Sequence, residues 1–331
     1  MSTFNRQIKI LCRVPQPTDA VSMYRGLGPL TALRRQYPID IMTANDYQWP
    51  VLAASDILFM VRPATNMDKQ IITHALDLNV KVWVDYDDDV LNVPPQNPAF
   101  SYYADQQIQS NIKWIINNAT VVSVSTTALS YEFDEYRNEF NSKCVIIPNA
   151  FPDHLLNWDA SHKPYSNIVT WRGSRTHDAD LELAHKMFEN FPKDFPNHQM
   201  VFIGEPDYRS LKIFNKKDVR VIPSMNIIDY FKLMEELKPR VHIVPLENNR
   251  FNRSKSNIAW IEATRTKTAV IAQDLPEFRF VGAFNVNSWD HLNLEAALAV
   301  TNVNQSDEYI KHNLLLSIVN KRRWELIQQL I

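Results

Sequence analysis

Short apolar runs alternate along the first half of the chain with segments whose apolar residues recur every three or four positions. The runs predict strands at 8–12, 39–42, 56–61, 81–85, 120–124 and 143–147. The periodic segments predict helices at 22–36, 68–78 and 102–117. Strands that are apolar throughout and separated by helices are typical of a parallel sheet covered on both faces. The first half therefore predicts one Rossmann-like α/β domain.

The same alternation starts again after a polar stretch at 157–167. It predicts strands at 168–171, 200–203, 219–222, 241–244 and 269–272, and helices at 178–188, 227–237, 256–264 and 307–330. The total of 331 residues also fits two domains. We therefore expect α/β architecture with two Rossmann-like domains facing a cleft, over 1–155 and 156–305, and a C-terminal helical segment over 306–331. Ligands of such folds bind beyond the carboxyl ends of the strands and between domains.

Composition removes several function classes. Hydrophobic residues make up 45% of the chain, which excludes disorder over most of its length. The five glycines form neither a G-x-G-x-x-G pattern nor a P-loop. A net charge of -2 gives no overall attraction to nucleic acid or membranes. The N-terminus lacks the apolar core of a signal peptide and no run is long enough to span a bilayer, so we expect a cytoplasmic protein.

The most informative segment is residues 248–272, which contain F-N-R-S-K-S-N before a predicted helix. Free N–H groups at a helix start, together with Lys255, Ser256 and Asn257, can hold a phosphate. Glu262 follows Ser256 by six residues, which is about 9 Å along a helix. That offset suits a carboxylate accepting hydrogen bonds from the ribose of the same nucleotide. The alternative is a capped surface helix with a solvated glutamate.

A second segment, residues 170–181, combines a strand, a glycine and a helix. Arg172 and Arg175 stand at the carboxyl end of that strand, where an arginine can bind phosphate with two hydrogen bonds. Gly173 permits close approach of the backbone to a ligand. The alternative is an ordinary turn with surface arginines, with His177 and Asp178 capping the helix.

An acidic run ends the strand at 81–85, and three interpretations compete for it. The first is a solvated loop. The second is a pair of catalytic or acceptor-binding carboxylates, Asp87 and Asp88, at the end of a strand. The third is a site for Mg²⁺ or Mn²⁺ that uses Asp85, Asp87 and Asp89, since hard oxygen ligands suit these ions.

Together with residues 22–29 (S-M-Y-R-G-L-G-P) and 83–90 (W-V-D-Y-D-D-D-V), these segments resemble the nucleotide-sugar glycosyltransferases of the GT-B fold, particularly the retaining family 4 group. The resemblance implies that Arg172, Arg175 and Lys255 contact the donor diphosphate and that Glu262 holds the ribose. It also implies that the loop carrying Arg25 lies near that diphosphate and that the last helix crosses back to the first domain. The pattern departs at Ser254, where the family usually has a glutamate.

The resemblance implies a hexosyl- or pentosyltransferase that moves a sugar from a nucleoside diphosphate sugar, a UDP-sugar first among them, to an acceptor hydroxyl with retention. The second domain would hold the donor and the first would present the acceptor. We expect no obligatory cofactor, with Mg²⁺ or Mn²⁺ as the alternative. Competing functions are a non-catalytic nucleotide- or sugar-binding module, which Ser254 favours, and a nucleotide-sugar epimerase of the same fold.

The acceptor has two interpretations. A glycan or another small acceptor is the default for enzymes that resemble this chain. The second is a hydroxymethylated pyrimidine in DNA, because compact size, scarce glycine and Asn-rich loops are shared with bacteriophage proteins. DNA would need a basic cleft rim, for which the first half offers Arg13, Arg25, Arg34, Arg35 and Arg62. Asp87 or Asp88 would then act as the base, since one carboxylate of a crowded set can have a raised pKa.

Overall fold

A computed structural model describes residues 6–43, 49–138, 143–154, 166–206, 208–213, 219–279, 283–300 and 303–331. Its strands are β1 Ile8–Arg13, β2 Ile39–Thr43, β3 Ile57–Val61, β4 Lys81–Tyr86, β5 Val121–Val124, β6 Val145–Ile146, β7 Ile168–Gly173, β8 Gln199–Gly204, β9 Val219–Ile222, β10 Val241–Val244, β11 Ala269–Gln273 and β12 Ala283–Val286. The predicted boundary at residue 155 lies outside the described residues, as does the linker up to residue 165.

The helices before the second sheet are α1 Ala20–Arg25, α2 Leu27–Arg34, α3 Trp49–Ala53, α4 Asn66–Asp77, α5 Phe100–Tyr103, α6 Gln106–Asn118 and α7 Thr127–Asp134. Those that follow are α8 Asp178–Glu182, α9 His185–Asp194, α10 Tyr208–Lys212, α11 Ile227–Leu237, α12 Arg250–Arg253, α13 Ile258–Arg265, α14 His291–Leu298, α15 Asn304–Asn313 and α16 Leu316–Leu330. Within the described ranges, no helix has both the length and the apolar character that crossing a bilayer requires.

The strands form two six-stranded sheets. Their orders are β2-β1-β3-β4-β5-β6 and β12-β11-β10-β7-β8-β9. The paired strands run parallel, and central strands such as β3 and β11 are buried along their whole length. Each sheet has an apolar core on both faces. These observations confirm the predicted class of two Rossmann-like α/β domains, which we call the first domain (β1–β6) and the second domain (β7–β12).

Four predicted helices are each divided in two, those over 22–36, 102–117, 178–188 and 307–330. Contacts at the break explain the first and the last. The helix predicted over 22–36 breaks at Gly26, where a Cβ atom would lie 2.5 Å from Cγ1 of Val14. The helix predicted over 307–330 breaks after Leu314. There, Phe151 N–H donates to the Leu314 carbonyl and Leu316 N–H donates to the Phe151 carbonyl, both at 2.8 Å.

This break is the point at which the chain returns to the first domain. Helix α15 packs in the second domain, where Asp307 accepts a hydrogen bond from Arg265 of α13 at 2.5 Å. Helix α16 instead buries five apolar residues in the core of the first domain, Leu316, Val319, Leu326, Ile327 and Leu330. The crossing predicted from residue 306 therefore begins near residue 315.

We predict that Ile327→Ala destabilises the first domain by about 2–5 kcal/mol, because the fully buried side chain would leave a cavity between α16 and the sheet. Urea unfolding measures the loss, and amide hydrogen exchange locates it. Exchange should accelerate in β1 and β3. Leu292→Ala, at a residue 63% exposed in the second domain, is the control and should change stability by less than about 0.5 kcal/mol. Faster exchange confined to the second domain would contradict the assignment.

Candidate functional site

The carboxyl ends of the two sheets meet at a cavity of about 210 Å³. The first domain contributes α1 and the residues after β4, and the second contributes the ends of β7 and β10 and the start of α13. The charged or titratable residues along its wall are Tyr24, Asp87, Asp88, Arg172, His177, His242 and Lys255. The structure thus brings together residues from both predicted donor segments and from the acidic run.

The segment before α13 is tied to the first domain across this cavity. Nζ of Lys255 lies 3.7 Å from Oδ1 of Asp88 and 4.7 Å from the centre of the Phe251 ring. Asn149 donates to the Ser256 hydroxyl at 2.7 Å. Asn257 is the N-cap residue of α13, but its side chain makes no capping hydrogen bond and lies outside the cavity wall. Lys255 and Ser256 therefore face the cleft, and Asn257 does not.

The carboxylates of Asp87 and Asp88 share one cation. Arg62 contacts Asp87 through Nε and Asp88 through Nη2, the latter at 2.7 Å. Burial alone would raise the pKa of Asp88, but Lys255 and Arg62 outweigh it and lower that pKa to about 2. The carboxylate is thus ionised and stabilised by two cations, which makes it a weak base.

Within the acidic run, the residue with a raised pKa is Asp89, whereas the sequence predicted Asp87 or Asp88. Burial raises the pKa of Asp89 to about 6, although Asn92 donates to both of its oxygens at 3.0 and 2.9 Å. Asp89 lies outside the cavity wall. From crowding of the carboxylates we expected a raised pKa at Asp87 or Asp88. For Asp88 this expectation is wrong, because the neighbouring cations lower its pKa.

Asp85 and Arg25 form a buried ion pair beneath the cavity. Nε and Nη2 of Arg25 donate to the two oxygens of Asp85, each at 2.8 Å, and Nη1 donates to the Ile147 carbonyl at 2.6 Å. Ser123 also donates to Asp85. Both side chains of the pair are almost fully buried, so Arg25 does not reach the cavity where the donor diphosphate was expected.

The acidic run does not fit the predicted metal site. The oxygens of Asp85 are occupied by Arg25 and Ser123, and those of Asp89 by Asn92, so the carboxylates do not converge. In the part of the chain that the structure describes, no three His, Cys, Asp or Glu side chains are grouped closely enough to hold a metal ion.

Glu262 lies behind the cavity wall rather than on it. One of its oxygens accepts a hydrogen bond of 2.5 Å from the Tyr24 hydroxyl of the first domain, and the other lies 2.6 Å from Nη2 of Arg172. The carboxylate is fully buried, and burial raises its pKa above the ordinary value. A ribose could reach it only after Tyr24 moves away, so the ribose role of Glu262 stays a prediction.

The three residues predicted to bind the donor at the end of β7, Arg172, Gly173 and Arg175, have different surroundings in the structure. Arg172 lines the cavity and lies over the Tyr230 ring at 4.9 Å. Arg175 is 73% exposed, lies 3.7 Å from Asp178, and is not on the cavity wall. Gly173 pairs with Gly204, where φ is +113° and a Cβ atom would meet the Gly173 carbonyl oxygen at 2.0 Å. The two glycines thus allow the ends of β7 and β8 to approach each other closely, and this contact explains Gly173 without a ligand.

His177 is a cavity residue that the sequence analysis treated as a cap. It occupies the N-cap position of α8 but makes no side-chain capping hydrogen bond. Its Nδ1 instead lies 2.7 Å from Oδ2 of Asp180. The sequence feature that could have indicated this pair is the three-residue spacing of His177 and Asp180 after a strand, because side chains so spaced lie together on one helical turn.

Three of the five arginines expected to form a basic rim for a DNA acceptor are paired with carboxylates. Arg13 lies 3.4 Å from Asp68, Arg25 is buried with Asp85, and Arg62 pairs with Asp87 and Asp88. Binding to DNA requires cations that are free to neutralise phosphates, which releases the counterions condensed on the DNA. These three arginines therefore give the DNA interpretation no support.

No protein-family model matches this chain, and no curated protein is similar to it in sequence. Solved structures resemble it in fold. HepE of Anabaena in complex with UDP has a TM-score of 0.65 at 10% identity, over 98% of this chain and 100% of that one. A glycosyltransferase from Rickettsia africae has a TM-score of 0.63 at 13% identity, over 98% and 99%. TarM of S. aureus has a TM-score of 0.56 at 14% identity, over 82% and 55%, so this chain spans about half of its length. At these identities the likeness establishes the fold alone, the two-domain GT-B arrangement.

We predict that Arg25→Leu costs about 3–5 kcal/mol of stability, because it leaves the Asp85 carboxylate buried without its cation. Replacing both residues by leucine should recover much of the loss, since the uncompensated charge is removed as well. Urea unfolding of Arg25→Leu, Asp85→Leu and the double variant gives a double-mutant cycle for the pair. Unchanged stability of Arg25→Leu combined with a large loss of UDP affinity would instead support the donor role predicted from the sequence.

Proposed function

We propose that this protein is a glycosyltransferase that moves a sugar from a UDP-sugar to an acceptor hydroxyl. The observation that carries the proposal is the position of Lys255 and Ser256 at the start of α13, on the wall of the cleft between two Rossmann-like domains. The same fold in HepE is seen in complex with UDP and with UDP-glucose. A cation beside the N-terminus of a helix suits a diphosphate.

The chemistry that this site would supply is stabilisation of the leaving group. When the bond to the sugar breaks, negative charge grows on the diphosphate, and fixed cations in a water-poor cleft lower the energy of that state. Lys255 is 16% exposed in its side chain and is already held by Asp88, so it is preorganised at the cleft. Arg172 would add a second positive charge from the end of β7. Arg175 would contact the donor only after leaving Asp178.

The acceptor belongs, in this proposal, on the first domain, where Asp87 and Asp88 face the cavity. Because Asp88 is a weak base, we assign these carboxylates to orienting the acceptor and Lys255 rather than to strong proton abstraction. A glycan or another small hydroxyl compound fits this role better than DNA, because a polyanion would meet carboxylates. Retention at the anomeric carbon follows from the resemblance to family 4, and NMR of the product linkage tests it.

We predict that Lys255→Ala lowers turnover of the UDP-sugar by about 100-fold or more, because a preorganised charge at the leaving group is lost. It should also weaken UDP binding in isothermal titration. Lys232→Ala, which removes a 62% exposed lysine from α11, is the control and should leave both measurements unchanged. Equal turnover in wild type and Lys255→Ala would refute the donor assignment.

The competing functions give different products when the protein is incubated with a UDP-sugar, with and without an acceptor. UDP binding without transfer or donor hydrolysis would identify a non-catalytic binding module. Interconversion of the free nucleotide sugar, detected by chromatography without any acceptor, would identify an epimerase. Transfer of sugar to a glycan or small hydroxyl compound, with release of UDP, is the result that we expect. Transfer to hydroxymethylcytosine in duplex DNA would instead restore the DNA acceptor.

A further inference from the structure

A histidine and aspartate pair in the second domain has the geometry of an oriented proton donor. Nδ1 of His177 lies 2.7 Å from Oδ2 of Asp180, and the imidazole lies on the cavity wall with about a quarter of the side chain exposed. With Nδ1–H donating to the carboxylate, Nε2 is the atom left to act on a ligand. The pair therefore has one end fixed in the protein and the other end available at the cleft.

Asp180 is itself held rigidly. Its other oxygen accepts hydrogen bonds from the backbone N–H of Glu247 and from Nδ2 of Asn252, both at 2.8 Å. Asn252 also donates to the Glu247 carbonyl at 3.0 Å. Both oxygens of the buried carboxylate are thus used, and the segment after β10 fixes the direction in which the imidazole points. A side chain placed only to cap α8 would not need this support.

The charged residues around the cavity leave the proton-transfer role to His177. Histidine is the side chain whose ordinary pKa lies nearest to neutrality, whereas lysine and arginine hold their protons. Burial, followed by the charge of Arg172, lowers the pKa of His242, the other histidine of the cavity, to about 3, so that ring is neutral. The remaining titratable groups along the wall are Asp87, Asp88, Arg172, Lys255 and Tyr24. The Tyr24 hydroxyl already donates to Glu262, and burial raises its pKa.

Its place in the fold decides which proton His177 would move. It lies in the second domain, on the same wall as Lys255 and Arg172, which the proposed function assigns to the donor diphosphate. The acceptor carboxylates belong to the first domain. This position favours the leaving group over the attacking hydroxyl as the partner of Nε2. Asp88 of the first domain also interacts electrostatically with His177.

We propose that His177 is a catalytic residue that donates a proton to the leaving diphosphate, and that Asp180 is its positioning residue; this rests on the proposed function. The bond between the anomeric carbon and the phosphate oxygen breaks, and its electron pair stays on that oxygen, which takes the proton from Nε2. The acceptor oxygen forms the new bond to the anomeric carbon. The acceptor hydroxyl releases its proton to solvent and the imidazole takes one proton from solvent to restore the imidazolium, so no further reactant is consumed.

The test compares kcat, KM and pH dependence for hydrolysis or transfer of UDP-glucose and UDP-GlcNAc. His177→Ala should lower kcat by about 100-fold or more, the usual contribution of a general acid, while the donor KM changes by less than about threefold. His177→Gln, which keeps a hydrogen-bond donor but no transferable proton, should be equally slow. Wild-type kcat should fall as rising pH removes the proton of the general acid, and this fall should be absent from both variants.

Asp180→Asn separates positioning from folding, because the amide keeps the shape but favours the wrong tautomer of the imidazole. It should lower kcat with little change in donor KM, and UDP binding should persist. His312→Ala is the matched control, since His312 also faces a carboxylate, Glu308 at 3.6 Å, but its side chain is 77% exposed and lies on α15, outside the cavity wall. It should leave kcat and the pH profile unchanged.

The outcomes separate this inference from the proposed function. An active wild type together with His177→Ala at full kcat, or His177→Gln at full kcat, would overturn the proton-donor role and leave the glycosyltransferase assignment standing. A wild type that binds neither UDP nor a UDP-sugar would overturn the proposed function first. A lowered kcat in His177→Ala with an unaltered pH profile would also contradict proton donation.

Discussion

The two cations of the cleft are already paired with protein carboxylates, and this pairing constrains how the site can work. Lys255 faces Asp88 of the first domain at 3.7 Å, and Arg172 faces Glu262 at 2.6 Å. Both pairs are linked to contacts between the domains, because Tyr24 donates to Glu262 across the cleft. In our account a bound diphosphate replaces Asp88 as the partner of Lys255. Donor affinity and closure of the two domains are then parts of one equilibrium.

The position of Asp88 depends in turn on a buried ion pair at the end of β4. Arg25 and Asp85 fix the strand end against α1, and the next two carboxylates emerge from it to meet Arg62. The four aspartates of this run therefore do different things. One is structural, two share a cation at the cleft, and Asp89 is buried with a raised pKa. Helix α16 supports the same region by filling the core beneath the sheet.

Much of the fold was predictable because apolar runs determine buried parallel strands. The elements Val219–Ile222, Ile227–Leu237 and Val241–Val244 begin and end where the pattern placed them. The helix breaks were not predictable, because they depend on contacts distant in sequence, such as Phe151 with Leu314 and Leu316. Lys255 could be placed at a helix start from its neighbours alone.

The burial of Arg25 and Glu262 could not be predicted, since their partners are 60 and 90 or more residues away and no local pattern reveals a buried pair. The role that we propose for His177 could not be predicted from the sequence for a related reason. The spacing to Asp180 was visible, but the hydrogen bonds that fix Asp180 come from the segment after β10.

The central claim is that the charged wall of the cleft is a diphosphate site, and titration of the wild-type protein with UDP and with uridine tests it most directly. We expect UDP to bind far more tightly than uridine and its affinity to fall as salt concentration rises, since the phosphates supply the contacts with Lys255 and Arg172. Equal affinity for UDP and uridine, with no dependence on salt, would contradict the account.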